Sequence, residues 1–458
     1  MTNKIYEKID EIKNEYIKNN ELYYYIETVG CQMNEHDSEK ISYILEDMGY
    51  LPTTEVEEAD FVLFNTCLVR ENAELKVLGQ LGSLKPLKEK NPDMIIAVCG
   101  CMMQTGEARK IILEKHRHVD IIFGTKNISS LPYLIETHFQ TGDLIVDIDE
   151  RDLIDEQLQM KRSHSFMGYI NIMTGCNNFC TYCIVPYARG REDSRSPESI
   201  IEEAKDMAKN GYKEITLLGQ NVNSYGKNLE NPITFPELLK MLNEVEGIER
   251  IRFLTSHPKD ISDELIEAIG DLDKVCENIH LPFQSGSDRI LDDMNRRYTH
   301  DGYLDIIKKL KKKVPGITIS TDIIVGFPGE TEEDFQETMR MVEEVEYDQA
   351  FTYLYSPRPG TKAAEMENQI PRDVMQDRFE RLLDKMYKIF YIKNQDYMGT
   401  IQEVLVEGKS KKNPNILTGR TRTYKLVHFP GDEKEIGNLV NVKIKGHNSF
   451  ALNGEMVR

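Results

Sequence analysis

The stretch GCNNFCTYC, which carries Cys176, Cys180 and Cys183, constrains this chain more than any other feature. Its spacing is C-x3-C-x2-C, and three thiolates on one short loop favour an iron–sulfur cluster, because Cys sulfur is the usual protein ligand of such clusters. Three cysteines leave one corner of a 4Fe–4S cube open for a substrate or cofactor, as open positions do in catalytic zinc sites. The alternatives are a zinc knuckle and cysteines that are merely buried, but no second C-x2-C or His pair lies nearby.

The overall composition sets the broad class of the protein. Its 458 residues suffice for two or three domains, and 40% hydrophobic with 29% charged residues is typical of a globular protein. Residues 1–21 contain no continuous apolar stretch, so we interpret them as a short amphipathic leader rather than a secretory signal or membrane span. Eight cysteines without signs of export favour a reducing cytoplasm. The net charge of −20 argues against general affinity for nucleic acid but allows a local basic surface.

Strand-like and helix-like segments alternate between residues 22 and 140. The stretches YYYIETVGC, DFVLFNTC and MIIAVCGC each predict a strand that ends in cysteine, at Cys31, Cys67 and Cys101. A helix is expected from about Asp37 to Met48. This alternation predicts a parallel sheet, in which the carboxyl ends of the strands meet at one edge. Three cysteines at equivalent strand ends therefore predict a second cluster site, again with three protein ligands.

Two further cysteines need a separate interpretation. Cys99 shares a strand with Cys101, and on a regular strand both side chains would face the same way. Because Gly100 ends this strand, we predict that Cys101 turns outward as a ligand while Cys99 stays in the core. Cys276 stands alone in DLDKVCENIH and is interpreted as structural.

A charged, poorly periodic stretch, residues 141–161, indicates a linker. Between residues 162 and 394 an apolar strand, FMGYINIMTGC, leads into the cysteine loop, and five more strands follow: EITLLGQN, RIRFLTS, ENIHLPFQSGS, ITISTDIIVGFPG and QAFTYLYS. Ser196-Pro197 and the near capping box at Thr331 mark helix starts between them. Six βα units predict a partial (β/α)6 barrel with its chemistry at the carboxyl ends of the strands, closed by a helix from about Arg372 to Tyr397.

Glycine and polar residues stand where these strands end. A glycine lets the backbone approach a ligand closely, and a guanidinium such as that of Arg296 can bind a carboxylate. Each polar residue alone could equally cap a loop, but their shared position at strand ends favours ligand binding. The candidates are Gly219, Gln220 and Asn221 after the second strand, Ser256 after the third, Gln284 after the fourth and Gly326 after the fifth.

Basic residues follow the cysteine loop and recur near the carboxyl terminus. We interpret Arg189 and Arg191, in PYARGREDSR, as contacts to substrate phosphates rather than as a solvated turn. Residues 395–458 change to short β-rich runs, which predict a small all-β barrel. Basic residues among aromatic ones are typical of nucleic-acid platforms, although a plain surface barrel is a nearly equal alternative. The candidates there are Lys411, Lys412 and Arg420.

The order of motifs resembles that of the radical S-adenosylmethionine (SAM) methylthiotransferases. The motifs are ETVGCQMNEHDSE, FNTCLVRENAE, CGCMMQ, GCNNFCTYCIVPYARGRE, LLGQNVNSYG, LPFQSGSD and VGFPGET, and they cover nearly the whole chain after the leader. Within that family GQNVNSYG is most similar to the MiaB type. The resemblance implies an enzyme that adds a methylthio group to carbon 2 of N6-isopentenyladenosine beside the anticodon of tRNA. It also implies a tRNA-binding C-terminal module called a TRAM domain. Asp193 departs from the commonest pattern, which affects the expected tRNA contacts and not the chemistry.

The same resemblance implies the cofactors, which are two 4Fe–4S clusters and SAM. One cluster cleaves SAM reductively to a 5′-deoxyadenosyl radical, and the auxiliary cluster supplies the sulfur, while another SAM donates the methyl group. The implied ligands are Cys176, Cys180 and Cys183 for the first cluster and Cys31, Cys67 and Cys101 for the auxiliary cluster. The implied SAM-binding residues are Tyr182, Gly219, Gln220, Asn221, Ser256, Gln284, Arg296 and Gly326.

Related enzymes on this scaffold act on threonylcarbamoyladenosine in tRNA or on an aspartate of a small-subunit ribosomal protein, and both remain alternatives. An alternative of another class is a non-catalytic iron–sulfur protein that binds RNA and senses iron or oxygen. Cleavage of SAM to 5′-deoxyadenosine would exclude that alternative. The expected partners are the tRNA, an external electron donor and a donor of sulfur or of assembled clusters. We expect a cytoplasmic monomer without a membrane anchor.

Overall fold

The computed structural model describes residues 2–17, 21–68, 71–148, 160–162 and 164–457. The chain forms two compact units. The first contains Met1–Ser163, Thr174–Asn177 and Ile184–Arg195, and the second contains His164–Met173, Asn178–Cys183 and Ser196–Arg458. Within the described ranges no helix combines the length and the apolar character that a membrane span requires.

Helices and strands alternate along both units, as the sequence predicts. The elements up to residue 147 are α1 (Thr2–Ile12), β1 (Tyr23–Thr28), α2 (Gln32–Met48), β2 (Leu51–Pro52), β3 (Phe61–Thr66), α3 (Glu71–Ser83), α4 (Lys85–Lys90), β4 (Ile95–Gly100), α5 (Gly106–Lys115), β5 (Ile121–Phe123), α6 (Leu131–Thr141) and β6 (Ile145–Asp147). The elements from residue 167 to residue 395 are β7 (Met167–Asn171), β8 (Met173–Thr174), α7 (Val185–Arg189), β9 (Asp193–Ser194), α8 (Pro197–Lys209), β10 (Glu214–Leu218), α9 (Phe235–Asn243), β11 (Arg250–Phe253), α10 (Asp263–Asp271), β12 (Asn278–His280), α11 (Asp288–Asp293), α12 (His300–Lys313), β13 (Thr318–Val325), α13 (Glu332–Val345), β14 (Gln349–Leu354) and α14 (Arg372–Gln395).

The core of the first unit is a six-stranded sheet in the order β2-β1-β3-β4-β5-β6, with every neighbouring pair parallel. Strands β3 and β4 are buried along their whole length, as expected for strands with helices on both faces. The leader contributes to this core. Ile5, Ile9 and Ile12 of α1 are buried in one cluster with Ile44 and Leu45 of α2, because isoleucines at this spacing share one face of a helix.

Two predicted boundaries differ from the structure. Helix α2 begins at Gln32, five residues before the predicted start at Asp37, because Cys31 has an extended backbone and is itself the N-cap residue. The predicted linker, residues 141–161, contains the ordered strand β6, and β6 pairs with β5. The part of that linker from residue 149 to residue 159 lies outside the described residues.

The second unit begins with the partial barrel. Its six strands form two parallel groups, β11-β10-β7 and β12-β13-β14, and an isolated parallel bridge joins Ile251 of β11 to Val275. The predicted helix caps are confirmed. The Ser196 side chain accepts a hydrogen bond from Ser199 N, and Thr331 and Asp334 form a reciprocal capping box. Because the strands are parallel within each group, the loops at their carboxyl ends carry the candidate ligand-binding residues.

A closed five-stranded barrel ends the second unit, in the order β15-β16-β17-β19-β18. Its strands are β15 (Ile401–Ser410), β16 (Asn413–Thr421), β17 (Leu426–Pro430), β18 (Leu439–His447) and β19 (Leu452–Met456). Two buried arginines of β11 hold it to the partial barrel. Arg250 Nη1 donates to Arg420 O at 3.0 Å, and Arg252 Nη2 donates to Thr421 O at 2.8 Å. Part of this small barrel is thus committed to intramolecular contacts.

Candidate active site

The first cysteine triad lies at three neighbouring strand ends of the first unit. Cys67 and Cys101 directly follow Thr66 and Gly100, which are paired in register across β3 and β4. Strand β1 is the other neighbour of β3, and Cys31 follows it as the N-cap residue of α2. The predicted placement of these cysteines along one edge of the sheet is therefore confirmed.

Cys99 and Cys101 occupy different environments. Cys99 packs in the same hydrophobic cluster as Ile95 and Ala97, whereas Cys101 belongs to the cluster on the other side of the sheet. The residue between them must be glycine, because Gly100 has φ +95° and an added Cβ would lie 2.4 Å from Thr66 O. Because of this kink, Cys101 does not face the same side of the sheet as Cys99, which supports the interpretation of Cys99 as a core residue.

A buried arginine contacts the sulfur of Cys101. Arg189 Nε donates to Cys101 Sγ at 3.3 Å, and Arg189 Nη2 donates to Asp37 Oδ2 at 3.0 Å. Burial raises the pKa of the Cys101 thiol, and the neighbouring guanidinium opposes this shift. The structure thus places Arg189 elsewhere than the sequence suggested. Its side chain is buried and bound to a carboxylate, so it is not presented to the phosphates of a nucleic acid.

Two buried asparagines that the sequence analysis missed connect the turns after β1 and β3. Asn34 Nδ2 donates to Asn65 Oδ1 at 3.0 Å and to Thr66 O at 2.9 Å, and Asn65 Nδ2 donates back to Asn34 O at 2.8 Å. The Cys31 thiol also donates to Asn34 Oδ1 at 3.4 Å. Their one sequence signal is an asparagine close to a cysteine in both CQMNE and FNTC. Their role is to hold two of the three cysteines in register.

The second cysteine triad is held by hydrogen bonds to its loop backbone. In the second unit, Thr181 N donates to Met294 O at 3.1 Å, and Asn295 Nδ2 donates to Asn178 O at 3.0 Å and to Phe179 O at 3.1 Å. In the first unit, Cys176 N donates to Gly190 O at 3.1 Å. Such bonds satisfy the polar backbone of an irregular loop and fix the positions of its thiols.

Arg296 is buried beside Cys180 without a carboxylate partner. Its Nη1 donates to Cys180 Sγ at 3.5 Å, its Nη2 to Pro282 O at 2.8 Å and its Nε to Tyr298 Oη at 3.0 Å. Among the described residues no Asp or Glu forms an ion pair with this guanidinium, which is 5% exposed. A buried cation with neutral partners is costly, so this arrangement fits the carboxylate of a ligand.

Several buried polar atoms at the ends of β10 and β11 have no hydrogen-bond partner within the described part of the chain. Val222 N donates to Thr255 O at 3.2 Å and so brings the two loops together. Buried polar groups are normally paired, and a cluster of exceptions indicates a polar ligand. The atoms are Asn221 Oδ1, both side-chain polar atoms of Asn223, Ser256 Oγ and His257 Nε2.

His257 extends the predicted ligand-binding set. Its Nδ1 accepts a hydrogen bond from Lys259 N at 3.3 Å, so Nε2 carries the proton of the neutral ring and is a donor. Burial and the nearby Arg296 guanidinium hold the pKa of His257 well below its usual value. The sequence analysis named Ser256 alone, although His257 follows it directly in the loop after β11.

The remaining predicted SAM-binding residues differ in backbone conformation, packing and burial. Gly326 has φ +81°, and an added Cβ would lie 2.2 Å from Met375 Cγ. An added Cβ at Gly219 would lie 2.7 Å from Met173 Cγ. Gln284 has φ +65° and exchanges backbone hydrogen bonds with Asp322 and Ile324. The side chain of Gln220 is half-buried, and burial raises the pKa of Tyr182 well above its usual value.

The donor set of each triad suits an iron–sulfur cluster. All six cysteines are free of disulfides, and each triad includes a sulfur that accepts a hydrogen bond from a buried guanidinium. No group of three or more His, Cys, Asp or Glu side chains in the described ranges could hold a single metal ion. A cluster differs from a single ion because each of its irons takes a separate thiolate.

Three segments of the chain match known families. Residues 23–124 match the Uncharacterized protein family UPF0004, residues 170–342 the Radical SAM superfamily and residues 395–457 the TRAM domain. Over 434 residues the chain is 68% identical to the tRNA-2-methylthio-N(6)-dimethylallyladenosine synthase of Finegoldia magna. The alignment covers 95% of this chain and 94% of that relative. A relative of the same name from Alkaliphilus oremlandii is 59% identical, covering 95% of this chain and 93% of its own. This chain belongs to that synthase family.

Membership in the synthase family confirms the predicted family and enzyme class, a radical SAM methylthiotransferase. Solved structures are similar in fold. The radical SAM methyltransferase TsrM from Kitasatospora setae, with cobalamin and a [4Fe-4S] cluster bound, has a TM-score of 0.55 at 13% identity, covering 75% of this chain and 74% of that chain. The cobalamin-dependent radical enzyme OxsB has a TM-score of 0.52 at 13% identity, covering 79% of this chain and 56% of that chain.

The predicted tRNA-binding residues of this synthase differ in accessibility. Lys411 and Lys412 are exposed in the turn between β15 and β16, and Arg191 is also exposed. Arg420 is partly committed, because its Nε lies 3.1 Å from Glu407 Oε1 and its guanidinium lies 4.4 Å from the centroid of the Tyr424 ring. The turn lysines are therefore the most accessible basic candidates on the barrel.

Proposed function

We propose that this protein adds a methylthio group to carbon 2 of N6-dimethylallyladenosine, also called N6-isopentenyladenosine, next to the anticodon of tRNA. The observation that carries this proposal is 68% identity to a synthase of that name over 95% of the chain. The two cysteine triads, one at strand ends and one on a single loop, support it, because the reaction needs both a radical source and a sulfur source. The carbon–hydrogen bond at carbon 2 is unactivated, which is why radical chemistry is required.

The cofactors are two 4Fe–4S clusters and SAM. When bound, they supply a 5′-deoxyadenosyl radical, the sulfur and the methyl group, so the protein contributes binding, orientation and exclusion of side reactions. The ligands of the radical-generating cluster are Cys176, Cys180 and Cys183. The ligands of the auxiliary cluster are Cys31, Cys67 and Cys101.

SAM lies at the ends of β10, β11 and β12, where buried polar atoms need partners. The Arg296 guanidinium binds its carboxylate, because the cation has no carboxylate partner of its own among the described residues. Asn221, Ser256 and His257 supply donors and acceptors that satisfy its other polar groups. The further contacts in this proposal come from Tyr182, Gly219, Gln220, Gln284 and Gly326.

The TRAM barrel binds tRNA through phosphates. On the barrel, Lys411 and Lys412 contribute most because they are exposed on one turn, and the partly committed Arg420 adds a contact. Arg191, in the first unit, is a separate proposed phosphate contact. The proposed domains are a leader at 1–21, the N-terminal domain at 22–140, a linker at 141–161, the radical SAM core at 162–394 and the TRAM domain at 395–458. The proposed setting is a cytoplasmic monomer supplied by an external electron donor and a sulfur or cluster donor.

Nucleoside analysis of tRNA tests this function. A strain that lacks the protein should accumulate N6-isopentenyladenosine and lose its 2-methylthio derivative, as measured by mass spectrometry of digested tRNA. Re-expression of the full chain should restore the derivative. If threonylcarbamoyladenosine or a ribosomal-protein aspartate loses its methylthio group instead, the proposed substrate is wrong.

A further inference from the structure

We propose that Arg189 and Asp37 are positioning residues that tune the auxiliary cluster through the sulfur of Cys101. This inference rests on the proposed function, because it takes Cys101 to be a ligand of that cluster. It replaces the role in tRNA binding that the sequence suggested for Arg189. The two residues are far apart in the sequence, on α7 and α2, and meet only in the folded first unit.

The contact geometry carries the proposal. Arg189 Nε donates to Cys101 Sγ at 3.3 Å, and Nη2 of the same planar guanidinium donates to Asp37 Oδ2 at 3.0 Å. The side chains of Arg189 and Asp37 are 7% and 11% exposed. A rigid guanidinium fixed on one side by a carboxylate can direct an N–H group toward one sulfur on its other side, which a flexible ammonium does less well.

The charges around Arg189 are balanced within this group. Asp37 neutralises the guanidinium, and Cys101 Sγ also accepts a hydrogen bond from it. His36, next to Asp37 in the sequence, is fully buried, and burial and the nearby cations hold its pKa well below its usual value. His36 is therefore neutral and does not compete for Asp37 as a counter-ion.

Hydrogen bonds to cluster sulfurs and nearby charges set the reduction potential of iron–sulfur clusters. A cation beside a ligand sulfur stabilises the more negative, reduced cluster, and a carboxylate behind the cation weakens that effect. The two members of this ion pair should therefore shift the potential in opposite directions. A purely structural ion pair would not do so, since removal of either partner would leave the electronic state of the cluster unchanged.

The test uses the full chain with Cys176→Ala, Cys180→Ala and Cys183→Ala, reconstituted anaerobically so that only the auxiliary cluster forms. The measurement is the midpoint potential of that cluster in a redox titration followed by electron paramagnetic resonance. We expect Arg189→Met to retain about four irons. We also expect its one-electron equilibrium to shift about tenfold toward the oxidised cluster, a lowering of about 59 mV. Asp37→Asn should raise the potential, and Arg189→Lys should lower it less than Arg189→Met.

Arg378→Met is the matched control, because it removes another buried arginine that forms ion pairs with Glu330 and Glu332 rather than a contact with a ligand cysteine. It should leave the potential unchanged. An unchanged potential in Arg189→Met and Asp37→Asn, or shifts of the same sign in both, would overturn the proposal. If Arg189→Met loses its iron, the midpoint potentials of Arg189→Lys and Asp37→Asn are compared instead. Unchanged potentials, or shifts of the same sign, in these two variants would overturn the proposal. A background protein that binds no cluster at all would instead disprove the ligand assignment on which the inference rests.

Discussion

The two cysteine triads reach similar chemistry from opposite kinds of sequence. Cys176, Cys180 and Cys183 lie on one loop, so their spacing in the sequence already brings them together, and hydrogen bonds from distant residues such as Asn295 hold the loop backbone. Cys31, Cys67 and Cys101 are spread over three strands, and only the parallel register of β1, β3 and β4 brings them to one edge. The comparison shows that a three-thiolate site can be encoded either by spacing or by topology.

The two triads contain the same kind of side chain, but the arginines beside them differ in their charged partners. Each has a buried arginine that donates to a cysteine sulfur, Arg296 to Cys180 and Arg189 to Cys101. Arg189 is paired with the carboxylate of Asp37, whereas the other partners of Arg296 are a carbonyl and a tyrosine hydroxyl. The Arg189 site is therefore neutralised by the protein itself, while Arg296 has no carboxylate partner among the described residues.

The largest expected effect comes from removing each triad in turn. Replacing Cys176, Cys180 and Cys183 with Ala should abolish 5′-deoxyadenosine formation, because the radical-generating cluster loses its ligands. The auxiliary site should still accept a methyl group from SAM, measured as methanethiol released by acid. Replacing Cys31, Cys67 and Cys101 with Ala should leave 5′-deoxyadenosine formation intact and abolish the methanethiol released by acid.

Both triple variants should lack 2-methylthio product on tRNA, so that product alone cannot distinguish them. The paired measurement of 5′-deoxyadenosine and methanethiol can. Continued 5′-deoxyadenosine formation by the first variant, or a trapped methyl group in the second, would contradict this division of labour.

The next largest effect should follow from the unpaired charge of Arg296. In protein without the auxiliary ligands, Arg296→Met should weaken SAM binding roughly 10- to 100-fold, the size of a lost charge-assisted hydrogen bond. Equilibrium dialysis with labelled SAM measures it. Arg189→Met in the same background should leave SAM affinity unchanged, because its charge is already neutralised by Asp37. Equal losses of SAM affinity in the two variants would contradict the proposed electrostatic difference between the two sites.

Glu330 offers a further test of buried charge, this time through stability. Its Oε2 accepts hydrogen bonds from Gly326 N at 2.9 Å and from Arg378 at 2.9 Å, and burial raises the pKa of this carboxyl to about 7. The folded protein thus binds a proton that the unfolded chain releases near pH 4.5. The stabilising contribution of that proton is present below the unfolded pKa and is lost as the pH rises to about 7.

We expect the free energy of unfolding to fall by about 3 kcal/mol at most between pH 4.5 and pH 8 through this group. Denaturant titrations of the wild type and of Glu330→Gln at both pH values measure it. The variant should gain stability relative to the wild type as the pH rises, because Gln cannot ionise. A constant difference between the two proteins would show that folding does not raise the pKa of Glu330.

A smaller effect is expected on the tRNA side. Replacing Lys411 and Lys412 with Ala should lower the salt slope of tRNA binding by about 2, since each lysine that contacts a phosphate adds about 1. Filter binding at several salt concentrations measures it, with SAM cleavage unaffected. Lys308→Ala on α12, another exposed lysine, serves as the control. The same slope in the double variant and the wild type would show that the barrel contacts tRNA elsewhere.

The smallest expected effect is none at all. Cys99→Ala and Cys276→Ala should each retain about eight irons per chain after reconstitution, because both cysteines are buried core residues. Iron analysis measures it. Loss of a cluster in Cys99→Ala, with Cys101→Ala keeping its iron, would reverse the assignment of the two residues and with it the topological account of the first triad.

The sequence by itself determined the fold class and the main strands of both units, and it predicted both cysteine triads. These follow from local signals, namely apolar periodicity, cap residues and the positions of Cys31, Cys67 and Cys101 after predicted strands. Such signals depend on neighbours a few positions away, so one chain is enough to recognise them.

Only the tertiary structure decided what surrounds the sulfurs. Arg189 and Asp37 are separated by 152 positions, and Arg296 and Cys180 by 116, so no periodicity links them. The sequence suggested that Arg189 faces substrate phosphates because a basic turn after a site is usually exposed. The fold instead buries its guanidinium against a carboxylate and a thiol, since parallel strands and the helices between them bring distant residues to one edge of a sheet.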